Sequence, residues 1–220
     1  DNLSNLNNDV IINNNFIKLY KNLCPGPITF ILKKKKKSKI ATSALAGNKT
    51  VAIRFPKHKV ARNLLKSLSV PLAAPSANIS SKLSPTSAED VFDEFKNKIG
   101  FILNGGKCDF GIESTIVDLT SKPSILRHGI ITEEKISKIL KKKLKKKNKK
   151  KIKSPGQLLF HYYPGIPVFM NKKLPKENGA FITFGKKYKN RKNYFNLSQK
   201  GNLKEAANNL YKTMRKIKKQ

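Results

Sequence analysis

The stretch GIESTIVDLTSKPSILRHG, Gly111–Gly129, decides the fold of this chain. Within it, STIVDLT (Ser114–Thr120) and SILRHG (Ser124–Gly129) are short runs rich in β-branched and other apolar residues, which predicts two strands. A glycine closes the second run. Small polar residues stand at the start of the first strand, so the same stretch combines sheet structure with groups that can bind a ligand.

Working outward from this stretch, apolar runs bounded by Pro, Gly or Lys predict further strands. They lie at Ile28–Leu32, Thr50–Phe55, Pro71–Ala74, Phe101–Gly106 and Gly179–Gly185. Apolar residues at helical spacing predict helices at 16–23, 60–68, 91–99, 132–140 and 202–217. Because helices and strands interleave with several short connections, we expect an α+β fold, a mixed α/β arrangement with an open twisted sheet and helices packed on it.

Two details of the third helix are specific enough to test. Thr86 with Glu89 matches a capping box, which predicts the helix start. Val91, Phe92, Phe95 and Ile99 recur on one side of the helix, and we expect this stripe to lie in the core.

Composition narrows the class of protein. Most of the positive residues behind the net charge of +34 are lysines in runs. Such a charge favours either an RNA partner or solvent-exposed loops that have accumulated lysine. No apolar run approaches the about 20 residues of a membrane-spanning helix, and no secretory signal is visible. The isolated Cys24 and Cys108 are typical of a reducing compartment and are expected to be buried, so we expect a cytoplasmic protein.

The candidate site residues follow or end predicted strands. No nucleophile elbow, Walker A loop or dinucleotide fingerprint is present. Hydroxyls and backbone N–H groups at strand ends form anion-binding turns, and arginine forks bind carboxylate and phosphate. Arg54 and Arg127 each end a predicted strand. We therefore expect PLAAPSAN (Pro71–Asn78) and GIESTIVD (Gly111–Asp118) to belong to one small-molecule pocket of an ATP-using enzyme.

Seven short motifs resemble those of one family. CPGPIT, TVAIRFP, PLAAPSAN, SPT, LNGG, GIESTIVDL and ILRHG occur in the order and spacing of the threonylcarbamoyl-AMP synthase family, whose core is the YrdC-like domain. This resemblance runs from about residue 23 to residue 140. SPGQLLFHYYP resembles the interdomain linker of the longer two-domain members, and GNLKEAANNLYKTMR resembles the start of their C-terminal domain.

The resemblance implies a nucleotidyltransferase. Such enzymes join L-threonine, bicarbonate and ATP into threonylcarbamoyl-adenylate and release pyrophosphate. Mg²⁺ is expected to arrive with ATP, and no protein side chain is assigned to a metal. A threonylcarbamoyl-transfer complex then modifies tRNA, which is itself a possible direct partner, and no membrane is involved.

The resemblance also assigns residues by motif. Threonine would be contacted by Arg54, Ala74 and Ser114. ATP would be held by Thr50, Ser76, Ser84, Arg127 and Tyr162, the last of these as part of a lid. Asn78 falls in the same motif and is a possible further contact, while no catalytic residue is assigned.

The domain plan follows from the same resemblance. We expect a YrdC-like core at 1–140 with its N-terminal part missing, a basic linker and lid segment at 141–168, and a partial C-terminal domain at 169–220. The family's PTET-type and basic KxR motifs are not in the chain. We therefore expect a fragment of a longer protein whose activity depends on the remainder.

Two alternatives stay open. The first is a non-catalytic relative that binds RNA, including double-stranded RNA, through a basic face, as the charge suggests. The second is a catalytically silent relative, as the missing motifs suggest. Salt dependence of tRNA binding separates the first from the enzyme, and the sequence directly upstream separates the second.

Overall fold

A computed structural model of the chain describes residues 3–145, 162–188 and 191–220. These residues divide into two compact units. The first unit contains the described residues up to Pro75 and those from Glu113 to 145, and the second contains the described residues of 76–112 and 162–220. Residues 146–161 of the predicted basic linker lie outside the described part of the chain, and the boundaries at 140 and 168 stay a prediction.

A four-stranded mixed sheet forms the first unit. Its strands are β1 (Ile28–Lys33), β2 (Thr50–Arg54), β3 (Thr115–Asp118) and β4 (Ser124–Arg127). The order is β2-β1-β3-β4, in which β1 pairs with β2 antiparallel and with β3 parallel, while β3 and β4 are antiparallel. Each strand was predicted from its apolar run.

Helices cover one face of this sheet. They are α1 (Asn14–Leu23) and α4 (Glu133–Leu140), which pack on each other. The helix α2 (Lys59–Lys66), which follows β2 in the chain, has no buried residue. Phe16 of α1 meets Phe30 of β1 edge to face, with ring centroids 5.1 Å apart. Both side chains are fully buried, as are Leu19 and Ile136. Because each such side chain contributes about 1.5–3 kcal/mol on burial, this layer supplies much of the stability of the first unit.

The second unit combines helices with a small sheet. Its elements are α3 (Ala88–Phe95), β5 (Phe181–Thr183), β6 (Tyr194–Asn196) and α5 (Leu203–Lys218). β5 and β6 are parallel neighbours. The side chain of Asn202 accepts a hydrogen bond from the Glu205 N–H at 3.0 Å, which confirms the predicted start of α5. The strand β6 was not predicted, since its three residues lie between polar segments.

Two predicted strands are absent from the described part of the chain. Pro71–Ala74 is irregular and exposed, and Phe101–Gly106 is irregular, with Phe101 98 % exposed. Apolar composition suggested both strands, but a strand also needs a neighbour to accept and donate its backbone hydrogen bonds. Pro71 and Pro75 further remove backbone donors from the first of these segments.

The third helix starts one residue later than predicted. Ser87, not Thr86, is the N-cap of α3, and its hydroxyl accepts from the Asp90 N–H at 3.3 Å. Thr86 instead donates its N–H and hydroxyl to the Asp90 carboxylate, at 2.8 and 2.9 Å. The predicted core position of the stripe is also wrong, because Phe92 is 56 % exposed and α3 has no buried residue.

The remaining expectations from composition have mixed outcomes. Cys24 is half-buried, and burial raises the pKa of its thiol to about 12. Cys108 is exposed, so the expectation that it is buried is wrong. Within the described ranges, no helix is long and apolar enough to cross a membrane.

Candidate functional site

The candidate site of the first unit lies on the sheet face opposite the helices. Along β1, Ile28, Phe30 and Leu32 belong to the main core. Since side chains alternate between the faces of a strand, Thr29 points to the opposite face. The Cα of Thr29 is paired with that of Arg54 on β2, and directly paired residues share a face. The register therefore places Arg54, which was predicted to bind the substrate L-threonine, beside Thr29.

Ser114 is the residue on this face that both Thr29 and Arg127 contact. It is 4 % exposed, and its Oγ lies 2.8 Å from Thr29 Oγ1. Arg127 donates to the same Oγ from Nη2 and to the Ser114 carbonyl from Nε, both at 3.0 Å. We call Thr29, Ser114 and Arg127 the Ser114 cluster. Two predicted site residues, Ser114 and Arg127, are thus brought together.

Within the Ser114 cluster, the hydrogen bond between Thr29 and Ser114 can have either hydroxyl as its donor. A guanidinium only donates, so Ser114 Oγ must accept from Arg127. A serine hydroxyl has one proton and can accept twice. When Thr29 also donates to it, the Ser114 proton is available to a carboxylate or carbonyl oxygen of a ligand.

A β-bulge contributes to the cluster. Ile116 pairs with Arg127 and Val117 with Ile125, so the register shifts between these two pairs. A bulge bends its strand and changes the direction of nearby side chains. Without the shift, Arg127 would follow Ile125 to the helix-covered face.

Gly129 allows the backbone of Ser114 to approach closely. A Cβ at this position would lie 2.5 Å from the Glu113 carbonyl oxygen, 2.6 Å from the Thr115 nitrogen and 2.8 Å from the Ser114 carbonyl carbon. All of these are backbone atoms, which cannot move aside as a flexible side chain would. The glycine that closes the predicted strand is therefore part of the framework of the site.

An apolar floor adjoins the cluster on the same face. Ile31, Ile116 and Leu126 form a small group of buried side chains separate from the main core. Ile31 is two residues from Thr29 on the same strand, so both project from one face. Hydroxyls, a guanidinium and an apolar floor together suit a small ligand that carries both an anionic and an apolar part.

The other first-unit site residues are more exposed. Arg54 is exposed at the end of β2, and Thr50 is half-buried at its start. Four residues along a strand separate these two by about 13 Å on the same face. Ala74 lies in the exposed irregular segment described above.

The predicted site residues of the second unit lie in loops. Asn78 Nδ2 donates to the carbonyls of Ile79 at 2.8 Å and Lys82 at 3.2 Å, while its buried Oδ1 has no partner. This side chain closes a turn between the exposed Ser76 and the half-buried Ser84. Asn78 therefore shapes the turn from which Ser84 follows.

The tyrosine pair at 162–163 also belongs to the second unit. The ring of Tyr162 stacks on that of Tyr211 in α5, with centroids 5.7 Å apart. The Tyr163 N–H donates to the Ser81 carbonyl at 2.9 Å, and Tyr163 forms a parallel bridge with Lys82. The tyrosines are thus held against both α5 and the 79–82 turn.

Sequence reasoning missed Thr29, Glu94 and Arg215. The alternation of ITFIL could have identified Thr29, since it is the polar residue between buried apolar ones. Glu94 and Arg215 lie on α3 and α5 and contact the loop that carries Ser84. Nothing in the spacing of residues 94 and 215 marks them as partners. Over 3–145, 162–188 and 191–220, no group of His, Cys, Asp or Glu side chains could hold a metal ion.

Comparison with family models shows which protein family the chain belongs to. The model of Sua5, YciO and YrdC proteins, described as telomere recombination, matches residues 1–129, which is more than half of the chain. The chain belongs to the Sua5/YciO/YrdC family. A second model, described as the threonylcarbamoyl-AMP synthase C-terminal domain, matches residues 131–220.

Relatives within the Sua5/YciO/YrdC family include curated enzymes. The threonylcarbamoyl-AMP synthase of Pyrococcus abyssi is 38 % identical over 159 residues, which cover 69 % of this chain and 46 % of that protein. The Schizosaccharomyces pombe threonylcarbamoyl-AMP synthase is 36 % identical over 168 residues, covering 70 % and 41 %. The chain therefore spans less than half the length of these curated relatives.

Solved structures of the family agree with the fold. The crystal structure of P. abyssi Sua5 complexed with L-threonine has a TM-score of 0.82 and 28 % identity, covering 100 % of this chain and 70 % of that one. Escherichia coli YciO has a TM-score of 0.51 and 29 % identity, covering 59 % and 63 %. The expected YrdC-like fold with a mixed sheet is confirmed.

Proposed function

We propose that this protein is a threonylcarbamoyl-AMP synthase, which forms threonylcarbamoyl-adenylate and pyrophosphate from L-threonine, bicarbonate and ATP. The observation that carries the proposal is the Ser114 hydroxyl, buried between Thr29 and Arg127 in the family's GIESTIVDL motif. The L-threonine in the related P. abyssi structure supports an amino-acid substrate.

In the first unit we assign Arg54 and Ser114 to the threonine carboxylate and hydroxyl, with a main-chain contact from Ala74. The apolar floor beside Ser114 suits the threonine methyl group. Thr50 and Arg127 are assigned to ATP. Because Arg127 also donates to Ser114 Oγ, it would respond to occupancy at the threonine position.

In the second unit we assign Ser76, Ser84 and Tyr162 to ATP, with Asn78 as a further candidate. Ser84 follows the turn that Asn78 closes, so its position depends on that turn. The Tyr162 ring, which stacks on Tyr211, is the proposed nucleotide lid.

The proposed reaction needs positioning and charge neutralisation more than a covalent nucleophile. The threonine amine would attack the bicarbonate carbon, and the C–OH bond would break to release water with an amine proton, which gives a carbamate. The carbamate oxygen would then attack the α-phosphorus, and the bond to the pyrophosphate oxygen would break. Mg²⁺ belongs here to the ATP substrate, on its phosphates. The assigned arginines and hydroxyls orient the carboxylate and the phosphates.

The test is threonine-, bicarbonate- and ATP-dependent formation of threonylcarbamoyl-adenylate by the full-length gene product, measured by chromatography of labelled threonine. Arg54→Ala should raise the threonine KM by about 10- to 100-fold, since a charge-assisted hydrogen bond contributes about 1.5–3 kcal/mol. Arg54→Lys keeps the charge but loses the fork, so it should recover only part of the loss. Absence of product at any threonine concentration would contradict the proposal.

Ser76→Ala tests the nucleotide assignment separately. Its ATP KM should rise while its threonine KM stays unchanged, because the hydroxyl is assigned to ATP alone. Ser69→Ala, an exposed serine outside the assigned site motifs, is the control and should leave both constants unchanged. Equal effects of the two variants would remove Ser76 from the ATP site.

A second candidate function is RNA binding, which the net charge of +34 favours. Double-stranded segments of tRNA are the proposed ligand, in the cytoplasm where the modification would occur. Contacts to about six phosphates should cost orders of magnitude in affinity between about 50 and 200 mM salt. Salt-insensitive or absent tRNA binding by filter assay would exclude this function while leaving the synthase proposal intact.

A further inference from the structure

The turn that precedes Ser84 is held from two sides by charged side chains. Glu94 of α3 accepts from the Ile79 N–H through Oε1 at 3.3 Å. Arg215 of α5 donates to the Leu83 carbonyl through Nη2 at 2.5 Å. The same two side chains pair with each other, Nη1 to Oε2, at 3.4 Å. One ion pair therefore holds both ends of the 79–83 turn.

This ion pair is well shielded from solvent. The side chains of Arg215 and Glu94 are 15 % and 9 % exposed, and Leu83 is 3 % exposed. Lys82 adds a weaker contact to Glu94 at 3.8 Å from a side chain that is 45 % exposed. Removing one partner of a shielded pair leaves an uncompensated charge, so this pair affects structure more than a surface ion pair does.

The two partners come from different family segments. Glu94 and the turn lie within residues 1–129, and Arg215 lies within residues 131–220, which match the C-terminal domain of threonylcarbamoyl-AMP synthase. We propose that Arg215 is a positioning residue that fixes the Leu83 carbonyl, and with it Ser84, for nucleotide binding. This rests on the proposed function, in which Ser84 contacts ATP. The C-terminal helix then sets the geometry of a nucleotide loop in the N-terminal segment.

A second ion pair between the same helices provides a matched control. The Nζ of Lys219, the C-cap residue directly after α5, lies 2.6 Å from Oδ2 of Asp93 in α3, and the two side chains are 68 % and 49 % exposed. Lys219→Met removes a positive charge at the contact with α3, as Arg215→Met does, but it leaves the Leu83 carbonyl contact intact. A difference between the two variants therefore reports on the shielded contacts of Arg215 and not on the loss of a positive charge at this end of the chain.

The experiment compares these variants in the full-length protein. Arg215→Met should weaken binding of a non-hydrolysable ATP analogue, and raise the ATP KM, by about tenfold or more, since small misplacements of positioning groups have effects of this size or larger. The threonine KM should stay within about twofold, and Arg215→Lys should recover part of the loss because it can still reach one acceptor. Lys219→Met should bind the analogue as the unaltered protein does.

Two further measurements keep the outcome decisive. If Arg215→Met unfolds, the double variant E94Q/R215M removes both charges and should fold, yet still lose analogue affinity. Hydrogen exchange of the unaltered protein should show a protected Ile79 amide, and Arg215→Lys should lower that protection. This readout needs no synthase activity, so it separates failure of this inference from failure of the proposed function. Rapid Ile79 exchange, or equal analogue binding by Arg215→Met and Lys219→Met, would overturn the role of Arg215.

Discussion

The Ser114 cluster and the 79–83 turn hold proposed ligand-binding serines in different ways. In the first unit, strand register brings Thr29 and Ser114 together, and a bulge adds Arg127. In the second unit, long side chains from two helices hold an irregular turn, as Glu94 and Arg215 do. A sheet therefore places one serine through backbone pairing, and side-chain charges place the other.

This difference predicts how each region responds to change. Backbone pairing tolerates surface substitutions but not added volume where backbones meet. A turn held by side chains tolerates volume but not the loss of a partner. Substitutions of equal size in the two units therefore test the comparison directly.

The largest expected effect comes from Gly129→Ala in the first unit. The new Cβ would lie within 2.8 Å of three backbone atoms around Ser114, so we expect a loss of about 3 kcal/mol in the free energy of unfolding. Gly100→Ala is the control, since its Cβ would meet nothing within 4 Å, and it should change stability by less than about 0.5 kcal/mol. Urea unfolding measures both, and equal midpoints would show that the Ser114 backbone is not close-packed.

Thr29→Val and Thr115→Val distinguish binding from stability on adjacent strands. Thr29→Val removes the hydroxyl that hydrogen-bonds Ser114 Oγ and should raise the threonine KM about five- to tenfold, with Thr29→Ser restoring it. Thr115→Val instead breaks two hydrogen bonds with Ile131, at 2.8 and 3.1 Å, and should cost about 1–3 kcal/mol of stability without a selective change in threonine KM. Threonine kinetics and urea unfolding of both variants check this, and a Thr29→Val variant with normal threonine KM would refute the positioning of Ser114.

The N-caps of α3 and α4 allow a comparison of two similar substitutions, for which we expect smaller changes in stability. Ser87 of α3 and Thr132 of α4 accept from the N–H three residues ahead at 3.3 Å in both cases. Replacing either by alanine should cost about 1 kcal/mol. Because α4 buries Ile136 and Leu140 while α3 has no buried residue, Ser87→Ala should expose all of α3 to hydrogen exchange and Thr132→Ala only the first turn of α4. Equal spread of exchange in the two helices would contradict this difference.

The smallest expected effect concerns the alkaline stability of the first unit. Burial raises the pKa of Cys24 from 9.0 to about 12. The folded state thus disfavours the thiolate, so the contribution is complete below pH 9 and is lost as the pH rises toward 12. The urea midpoint of the unaltered protein should therefore fall slightly more between pH 8 and 9.5 than that of Cys24→Ala, and parallel profiles would show that the thiol is not shielded.

The sequence predicted the sheet of the first unit well and the second unit less well. Apolar runs bounded by Pro, Gly or Lys located β1–β4, because the side chains of these strands pack on a covered face. It failed at Pro71–Ala74 and at Phe101–Gly106, where apolar residues have no strand partner. Ser114 and Arg127 were found through their motifs, but Thr29 became visible only through register. Arg215 could not be predicted, since an ion pair between distant helices leaves no local pattern.

The pairing of β1 with β3 has a consequence for folding on the ribosome. β1 and β2 are close in sequence and can pair as soon as both have been translated. The partner on the other side of β1 is β3, which follows the whole Ser76–Ile112 segment of the second unit. Until that segment has left the ribosome, β1 has an open edge that can pair with another chain. A pause in translation before Thr115 would therefore leave the nascent chain most prone to aggregation at the strand that carries Thr29.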